Sequence, residues 1–405
     1  MRKFAVVCAC IGALAASASA SPKVVSSAVA VKQGGLWGIM DLSGHWKVSP
    51  QYKSAFYSDE DGFFEVEDQQ GRQGLADPSG NWLVQPQFEQ LYYTGAKRLI
   101  GAKQGDCWGF VDRTGSWAIR PQFDEVDNFS EVGVAPVRAG TKFGVIDASG
   151  RWLAEPKFAF ISNFNRNGIA FANLVLHGKV GLINKSGQWV TQPMFDEGYY
   201  IGPDGWGAVK LGYQFGYVDD RGRIAFLMKL DEMPGAFENG VALAARNGKS
   251  GFINRRGEWV VPPTLEDAHY PHDGIGPAKI NGKWGFINGQ GKWVVPARYD
   301  SVGWFDGGEP EAWAELDGKQ GFVDRTGHFT TGALGSTAVE ERVPLNLNGW
   351  AAAKINGKWG VLNRAGRWLI PPRFECVDSC MDGGPPPLIR VTTAQTTCPV
   401  ARRED

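Results

Sequence analysis

A glycine followed by two apolar residues recurs ten times, at Gly38, Gly74, Gly109, Gly144, Gly181, Gly216, Gly251, Gly285, Gly321 and Gly360, and an aromatic residue precedes it at Trp37, Trp108, Phe143, Phe215, Trp284 and Trp359. Successive anchors lie 34 to 39 residues apart. A period of that size restricts the chain to repeat architectures, in which a unit too small to bury its own apolar face stacks on its neighbours. The fold is therefore one unit used ten times.

Local chemistry specifies the unit. Three residues after each anchor stands Asp or Asn, and three further on stands Gly, as in Asp41 with Gly44 and Asn288 with Gly291. An Asp or Asn side chain that bonds the following backbone, closed by a left-handed Gly, is the signature of a tight turn between two strands. Trp follows that Gly by two in eight units (Trp46, Trp82, Trp117, Trp152, Trp189, Trp259, Trp293 and Trp368), opening an alternating strand that contains Pro. Pro donates nothing to a ladder, which puts this strand at an edge or a bulge. A further strand, starting as in Gly133-Val134-Ala135, leads to the next anchor through Asn247-Gly248, Asn281-Gly282, Asp317-Gly318 or Asn356-Gly357. These pairs favour a two-residue type I′ hairpin. The chain thus reads as all-β, about ten three-stranded antiparallel units. Propellers usually carry four to eight four-stranded blades, so an open superhelical, solenoid-like array is the expected arrangement, with a propeller-like ring or rings as the alternative.

The sequences Trp37-Gly38, Trp108-Gly109, Trp284-Gly285 and Trp359-Gly360, with their turn residues and the later Trp46, Trp117, Trp293 and Trp368, resemble the WG (KWG) repeat family over about residues 30 to 375. The resemblance implies a bacterial β-rich interaction module without known catalytic residues or cofactor, and it names no ligand. Units six and nine depart from it: Ile224 and Phe329 replace the Trp, and the Pro-x-aromatic is missing.

Residues 1–20 combine basic Arg2 and Lys3, an apolar stretch from Phe4 to Ala16 and small residues at Ala18-Ser19-Ala20. They read as a secretory signal peptide cut after Ala20, which predicts a periplasmic or secreted chain. The expected organisation is then the signal peptide, ten repeats over 21–375 and a Cys-containing cap over 376–405. No apolar run reaches the roughly 20 residues of a membrane-spanning helix. With 42 Lys and Arg against 43 Asp and Glu, the chain lacks the basic excess that nucleic-acid binding uses.

Periodic aromatics are expected to form inter-repeat core, so ligand candidates are sought among aromatics outside the repeated slots: Tyr92, Tyr93, Tyr199, Tyr200, Trp206, Trp304 and Trp313. Acidic residues recur at Glu89, Asp124, Asp196, Glu266, Asp300 and Glu375, a row that would receive a cationic partner or else keep a sheet edge solvated. The turn Asp residues form no metal ladder, since Asn replaces them in four units and hard cations need charged oxygens. His269 and His272 are a close pair with no evident third ligand, and no nucleophile, His and carboxylate set stands out. The expected function is a non-catalytic scaffold for a protein partner at the cell envelope, with glycan binding through the unpatterned aromatics as the alternative and a cell-envelope enzyme as the third reading. Four cysteines follow the leader, Cys107, Cys376, Cys380 and Cys398. An exported compartment permits disulfides, and Cys380 with Cys398 is preferred over Cys376 with Cys398 as the bond pinning the cap, while Cys107 is expected either as a buried free thiol or, if the array closes into a ring, bonded to the tail.

Overall fold

The computed structural model describes residues 27–58, 62–92, 99–202, 204–269, 274–305, 311–331, 341–344, 351–363 and 367–377. They form ten small antiparallel sheets with no helix among them. The sheets are the blades of a ten-bladed β-propeller, so the open array expected from blade counts gives way to the ring. The structural reason lies at the seam. Cys376–Val377, at the end of the described chain, pairs with Ala28–Gln33 at its start, in the register Val31 to Val377 and Lys32 to Cys376. The Glu375 N–H donates to the Lys32 carbonyl at 3.0 Å. Blade 1 therefore takes one strand from the chain's end and three from its beginning.

Eight blades have four strands rather than three, and blades 6 and 7 have three. The additional strand is short. In blade 8 it is Asp267–Ala268, followed by Ile275–Ile280, Lys283–Asn288 and Trp293–Tyr299. Each step of that blade has a local cause. Asn281 and Gly282 both take positive φ, 51° and 75°, as a type I′ hairpin between the second and third strands requires. Asn288 Oδ1 accepts the N–H groups of Gln290 and Lys292, both at 3.0 Å, and Gly291 closes the turn at φ 80°. The fourth strand then bulges. Trp284 faces Tyr299, Phe286 faces Val295 and Ile287 faces Trp293, so two steps on the third strand span four on the fourth. Pro296 sits inside this bulge, where its missing N–H breaks no ladder bond. Blade 9, without the Pro, pairs its fourth strand Phe329–Thr331 in unbroken register. It is irregular in sequence yet stays in the ring.

The core lies between blades. Apolar clusters join blades 1 and 2, 2 and 3, and so on to 8 and 9, and another joins blade 10 to blade 1. The repeat Trp meets, edge to face, the aromatic that ends the preceding blade's fourth strand: Tyr52 with Trp82, Phe88 with Trp117, Phe123 with Trp152 and Phe158 with Trp189, at 5.3–5.8 Å between centroids. Trp46 makes the same contact with Phe374 across the seam, at 5.9 Å. Such pairs contribute about 0.5–1.5 kcal/mol each beyond burial.

Because strands alternate in direction, the ring has two unlike faces. One carries the Asp/Asn turns and the loops joining first to second strands. The other carries the two-residue hairpins and the one-residue links between blades.

Candidate binding surfaces

On the turn face, three blades meet at Asp127. Its carboxylate accepts the Tyr92 hydroxyl at 3.2 Å and the Asn128 N–H at 2.7 Å. With its amide oriented so that the nitrogen faces the carboxylate, Asn163 donates to both oxygens at 3.0 and 2.9 Å. Burial pushes this carboxyl above the usual carboxylate range, against those donors. Burial and the nearby Asp127 likewise push the Tyr92 phenol well up. The cluster is a clasp tying the loops of blades 3, 4 and 5, and it occupies the Tyr92 hydroxyl. Tyr93 lies outside the described residues.

The remaining aromatics divide by environment. Trp206 packs on Phe237 at 5.7 Å beneath the Arg255 guanidinium, which Asp204 holds at 2.7 Å. Trp313 is half-buried in the second strand of blade 9, opposite Phe322. Trp304 leans on His269 at 4.8 Å, and the His269 ring stacks on Trp284 at 5.6 Å. His272 lies outside the described residues, and among the described residues no three His, Cys, Asp or Glu are grouped to hold a metal. Tyr199 and Tyr200 are the most accessible of the tyrosine candidates described. Their phenols are pushed up by partial burial and by Glu197 beside Tyr199 and Asp204 near Tyr200. The structure thus does not gather the unpatterned aromatics into one site.

The acidic row has a structural role. Each carboxylate reaches from an inter-blade link to the backbone of the following hairpin: Glu89 to the Gly105 N–H at 2.8 Å, Asp124 to Gly140 at 2.5 Å, Asp196 to Gly212 at 2.7 Å, Glu266 to Gly282 at 2.9 Å and Asp300 to Gly318 at 3.4 Å. Glu375 accepts from Gly34 and Gly35 at 2.9 and 3.0 Å, making the same bond across the seam. Asp231, outside the recurring row, caps Asn247-Gly248 in the same way. These carboxylates are hairpin caps, committed to backbone donors before any partner arrives. Lys179 and Lys283 further neutralise Asp196 and Asp300.

Sequence reading missed the hairpin face of blades 5 and 6. The hairpin of blade 5 carries Leu174-Val175-Leu176 at its tip, with Val175 67% and Leu176 68% exposed. Next to it in ring order, blade 6 presents Tyr213, 94% exposed. The Leu174 carbonyl accepts Lys142 Nζ at 2.9 Å and the Val175 carbonyl accepts the Gly178 N–H at 2.8 Å, so backbone bonds hold the tip in shape. A faint signal was present in the sequence: the step from Gly144 to Gly181 is 37 residues, and its hairpin lacks the Asn-Gly pair. Cys107 and Cys376 are buried in blades 3 and 1 and both are disulfide-bonded, so the expectation of a free Cys107 thiol does not hold; Cys380 and Cys398 lie outside the described residues, as do the leader and the tail beyond Val377.

Comparison with known proteins agrees with the repeat geometry. The family described as WG containing repeat matches residues 37–69, 74–95, 108–142, 143–174, 181–214, 215–249, 251–284, 284–319 and 359–378. The unit anchored at Gly321, which lacks the Trp and the bulge, has no matching segment of its own. No curated protein matches the chain in sequence. Among solved structures, a crystal structure of the eukaryotic initiation factor is 10% identical, with a TM-score of 0.48 over 76% of this chain and 95% of its own. Hsv2p of Kluyveromyces lactis is 10% identical, with a TM-score of 0.33 over 56% and 89%. Virginiamycin B lyase from Staphylococcus aureus is 17% identical, with a TM-score of 0.29 over 57% and 90%. None of these likenesses bears on what the ring binds. The matched segments cover more than half of the chain and begin, blade after blade, at or beside the anchors that the fourth strand closes over: the chain belongs to the WG-containing repeat family.

Proposed function

We propose that this protein is an exported, non-catalytic binding module whose hairpin face docks a protein partner at the cell envelope through Leu174, Val175, Leu176 and Tyr213. The observation that carries the reading is local asymmetry. Blades 3, 4, 7, 8, 9 and 10 offer Gly105-Asp106, Gly140-Thr141, Asn247-Gly248, Asn281-Gly282, Asp317-Gly318 and Asn356-Gly357 at their hairpins, whereas blades 5 and 6 offer aliphatic side chains and a phenol. Adjacent exposed apolar side chains on an otherwise polar face are what interaction patches are made of. A rigid aromatic beside aliphatic residues supplies contact area at low entropic cost. The leader-like sequence of residues 1–20 supports export, as do the disulfides that hold Cys107 and Cys376. Non-reducing mass spectrometry of the mature chain tests the oxidised state, and four free thiols exclude it.

The docking test is capture from envelope extract by the intact mature chain and by a variant carrying Leu174→Ser, Val175→Ser and Leu176→Ser. One or two proteins are expected to be enriched by the wild type and lost at least tenfold with the variant, whose melting temperature stays unchanged. Equal capture by both overturns the reading. A glycan-binding module is the second reading, favoured by the exposed flat rings of Tyr199 and Tyr200. It predicts retention on protein-free cell-wall polysaccharide that Tyr199→Ala with Tyr200→Ala abolishes.

A further inference from the structure

We propose that the groove between the fourth strands of blades 1 and 2 is a binding site for a neutral oligosaccharide, with one pyranose ring lying against Trp82. The groove is open to solvent and offers about 390 Å³, within the range of small-ligand sites. Trp82 sets it apart. Of the eight Trp at this repeat position it alone is exposed, at 38%, while the other seven are half-buried. Tyr52 of the neighbouring blade, itself buried, holds the Trp82 ring edge to face at 5.8 Å and 82°, so the indole stands in the groove as a fixed platform. The C–H face of a pyranose is apolar and weakly positive, and it complements the negative face of an aromatic ring.

The polar lining matches sugar hydroxyls rather than a charged ligand. Gln51, Gln69, Gln70 and Gln85 surround the groove with neutral amides, each offering donors and an acceptor, as a pair of vicinal hydroxyls also does. Two of the amides are oriented by the protein: Gln69 Nε2 donates to the Gln51 carbonyl at 3.0 Å, and Gln70 Oε1 accepts Arg72 at 3.2 Å. The one ion pair in the lining, Arg72 Nε to Asp68 Oδ2 at 2.7 Å, is internally neutralised. Blade 2 builds this wall by a change of turn. Its second and third strands, Phe63–Glu67 and Gln73–Ala76, are joined by a longer turn in which Asp68 Oδ1 accepts the N–H groups of Gln70 and Arg72, both at 2.9 Å, with Gly71 at φ 81°. That turn sets Gln69 against the strand of blade 1, where blades 3, 4, 7, 8, 9 and 10 have a two-residue hairpin.

The site shares a ligand class with the glycan reading of Tyr199 and Tyr200 but none of its residues, and it does not rest on the protein-docking reading. The test titrates the mature chain with cellohexaose, maltohexaose, mannohexaose and chitohexaose, and with an oligogalacturonate as the anionic arm, by calorimetry and saturation-transfer NMR. At least one neutral oligomer is expected to bind, with affinity falling at least tenfold in Trp82→Ala and in the double variant Gln69→Ala with Gln85→Ala, which leaves the indole in place. The Leu174, Val175 and Leu176 serine variant and the Tyr199→Ala, Tyr200→Ala variant are expected to bind as the wild type does. Absence of binding to all four neutral oligomers, preference for the oligogalacturonate, or unchanged affinity in folded Trp82→Ala each overturns the proposal.

Discussion

At the ten anchor glycines φ lies outside the left-handed region, so backbone freedom is not what selects Gly there. The fourth strand does. An added Cβ at any of the ten would come within 2.7 Å of a carbonyl oxygen of the outermost strand that folds over it, whether that strand is bulged or, as in blade 9, unbroken. At Gly285 the obstructing atoms are backbone, Val295 O at 2.5 Å and Ala297 N at 2.6 Å, whereas a Cβ at Gly282 meets nothing within 4 Å and suffers only its positive φ. Gly282→Ala is therefore expected to cost about 1 kcal/mol, and Gly285→Ala about 2–3 kcal/mol through overpacking against backbone. Denaturant unfolding of the two variants checks the order. The turn aspartates carry a pH signature. The Ser149 hydroxyl and the N–H groups of Ser149 and Arg151 bring the Asp147 carboxyl from its ordinary 3.8 down to about 2. A carboxyl depressed in the folded state stabilises the fold above its unfolded pKa, and that contribution is lost as pH falls from 3.8 through about 2. Asp41, Asp112 and Asp324 are lowered too, by the His45 N–H and by the Thr114 and Thr326 hydroxyls. Asp147→Asn retains the Oδ1 acceptor, as Asn184 and Asn288 show. Its melting temperature is expected to fall less than that of the wild type between pH 4 and pH 2, and parallel curves would refute the assignment.

At the scale of the element, the hairpin and its acidic cap act as one device. The link carboxylate binds a backbone N–H of the following hairpin and so fixes how each blade leaves its predecessor. Glu266→Ala removes a charge-assisted bond at an exposed site and is expected to cost about 1 kcal/mol, with faster amide exchange at Gly282, while Glu266→Gln keeps an acceptor and exchanges at an intermediate rate. Unchanged exchange at Gly282 in Glu266→Ala would remove the cap from the account. What sequence revealed of these elements follows from the reach of the interactions. Asn281-Gly282 and the Asn288 turn were legible because every determinant lies within four residues. The recurrence of Glu266 was legible too, but not its role, since its partner stands sixteen residues on and is defined only once two strands have paired. Asp267–Ala268 was invisible as a strand because two residues have no periodicity to read. The exposure of Trp82 was hidden for another reason: identical slots differ by what the neighbouring blade and a longer hairpin place around them, and the repeat pattern argued for uniform burial.

For the whole molecule, the decisive difference between ring and open array is whether the last blade finds the first. An open array would leave the strand Ala28–Gln33 with an uncovered edge and the face of blade 10 without a neighbour, as terminal solenoid units do unless capped. Here both are satisfied by one seam: Glu375 caps Gly34 and Gly35, Val377 pairs with Val31, Phe374 meets Trp46, and Val29, Val31 and Met40 share a cluster with Val361 and Ile370. Each contact reproduces one made between consecutive blades elsewhere, so the seam is a blade interface made by distant residues and not a special lock. Two truncations separate this view from the cap expected over 376–405. Deleting 378–405 leaves every seam contact named here and is expected to keep the radius of gyration unchanged in solution scattering. Deleting 375–405 removes the Glu375 cap and the strand Cys376–Val377 together, and it is expected to raise the radius of gyration and lower the melting temperature by several degrees, as blades 10 and 1 part. Val31→Asp, which buries a carboxylate in the same cluster, should reproduce the second result at a cost of about 3 kcal/mol or more. If both truncations behave alike, the tail and not the seam holds the molecule together. If neither opens it, the inter-blade aromatic contacts, with Trp46 against Phe374 among them, suffice to close ten blades without a shared strand.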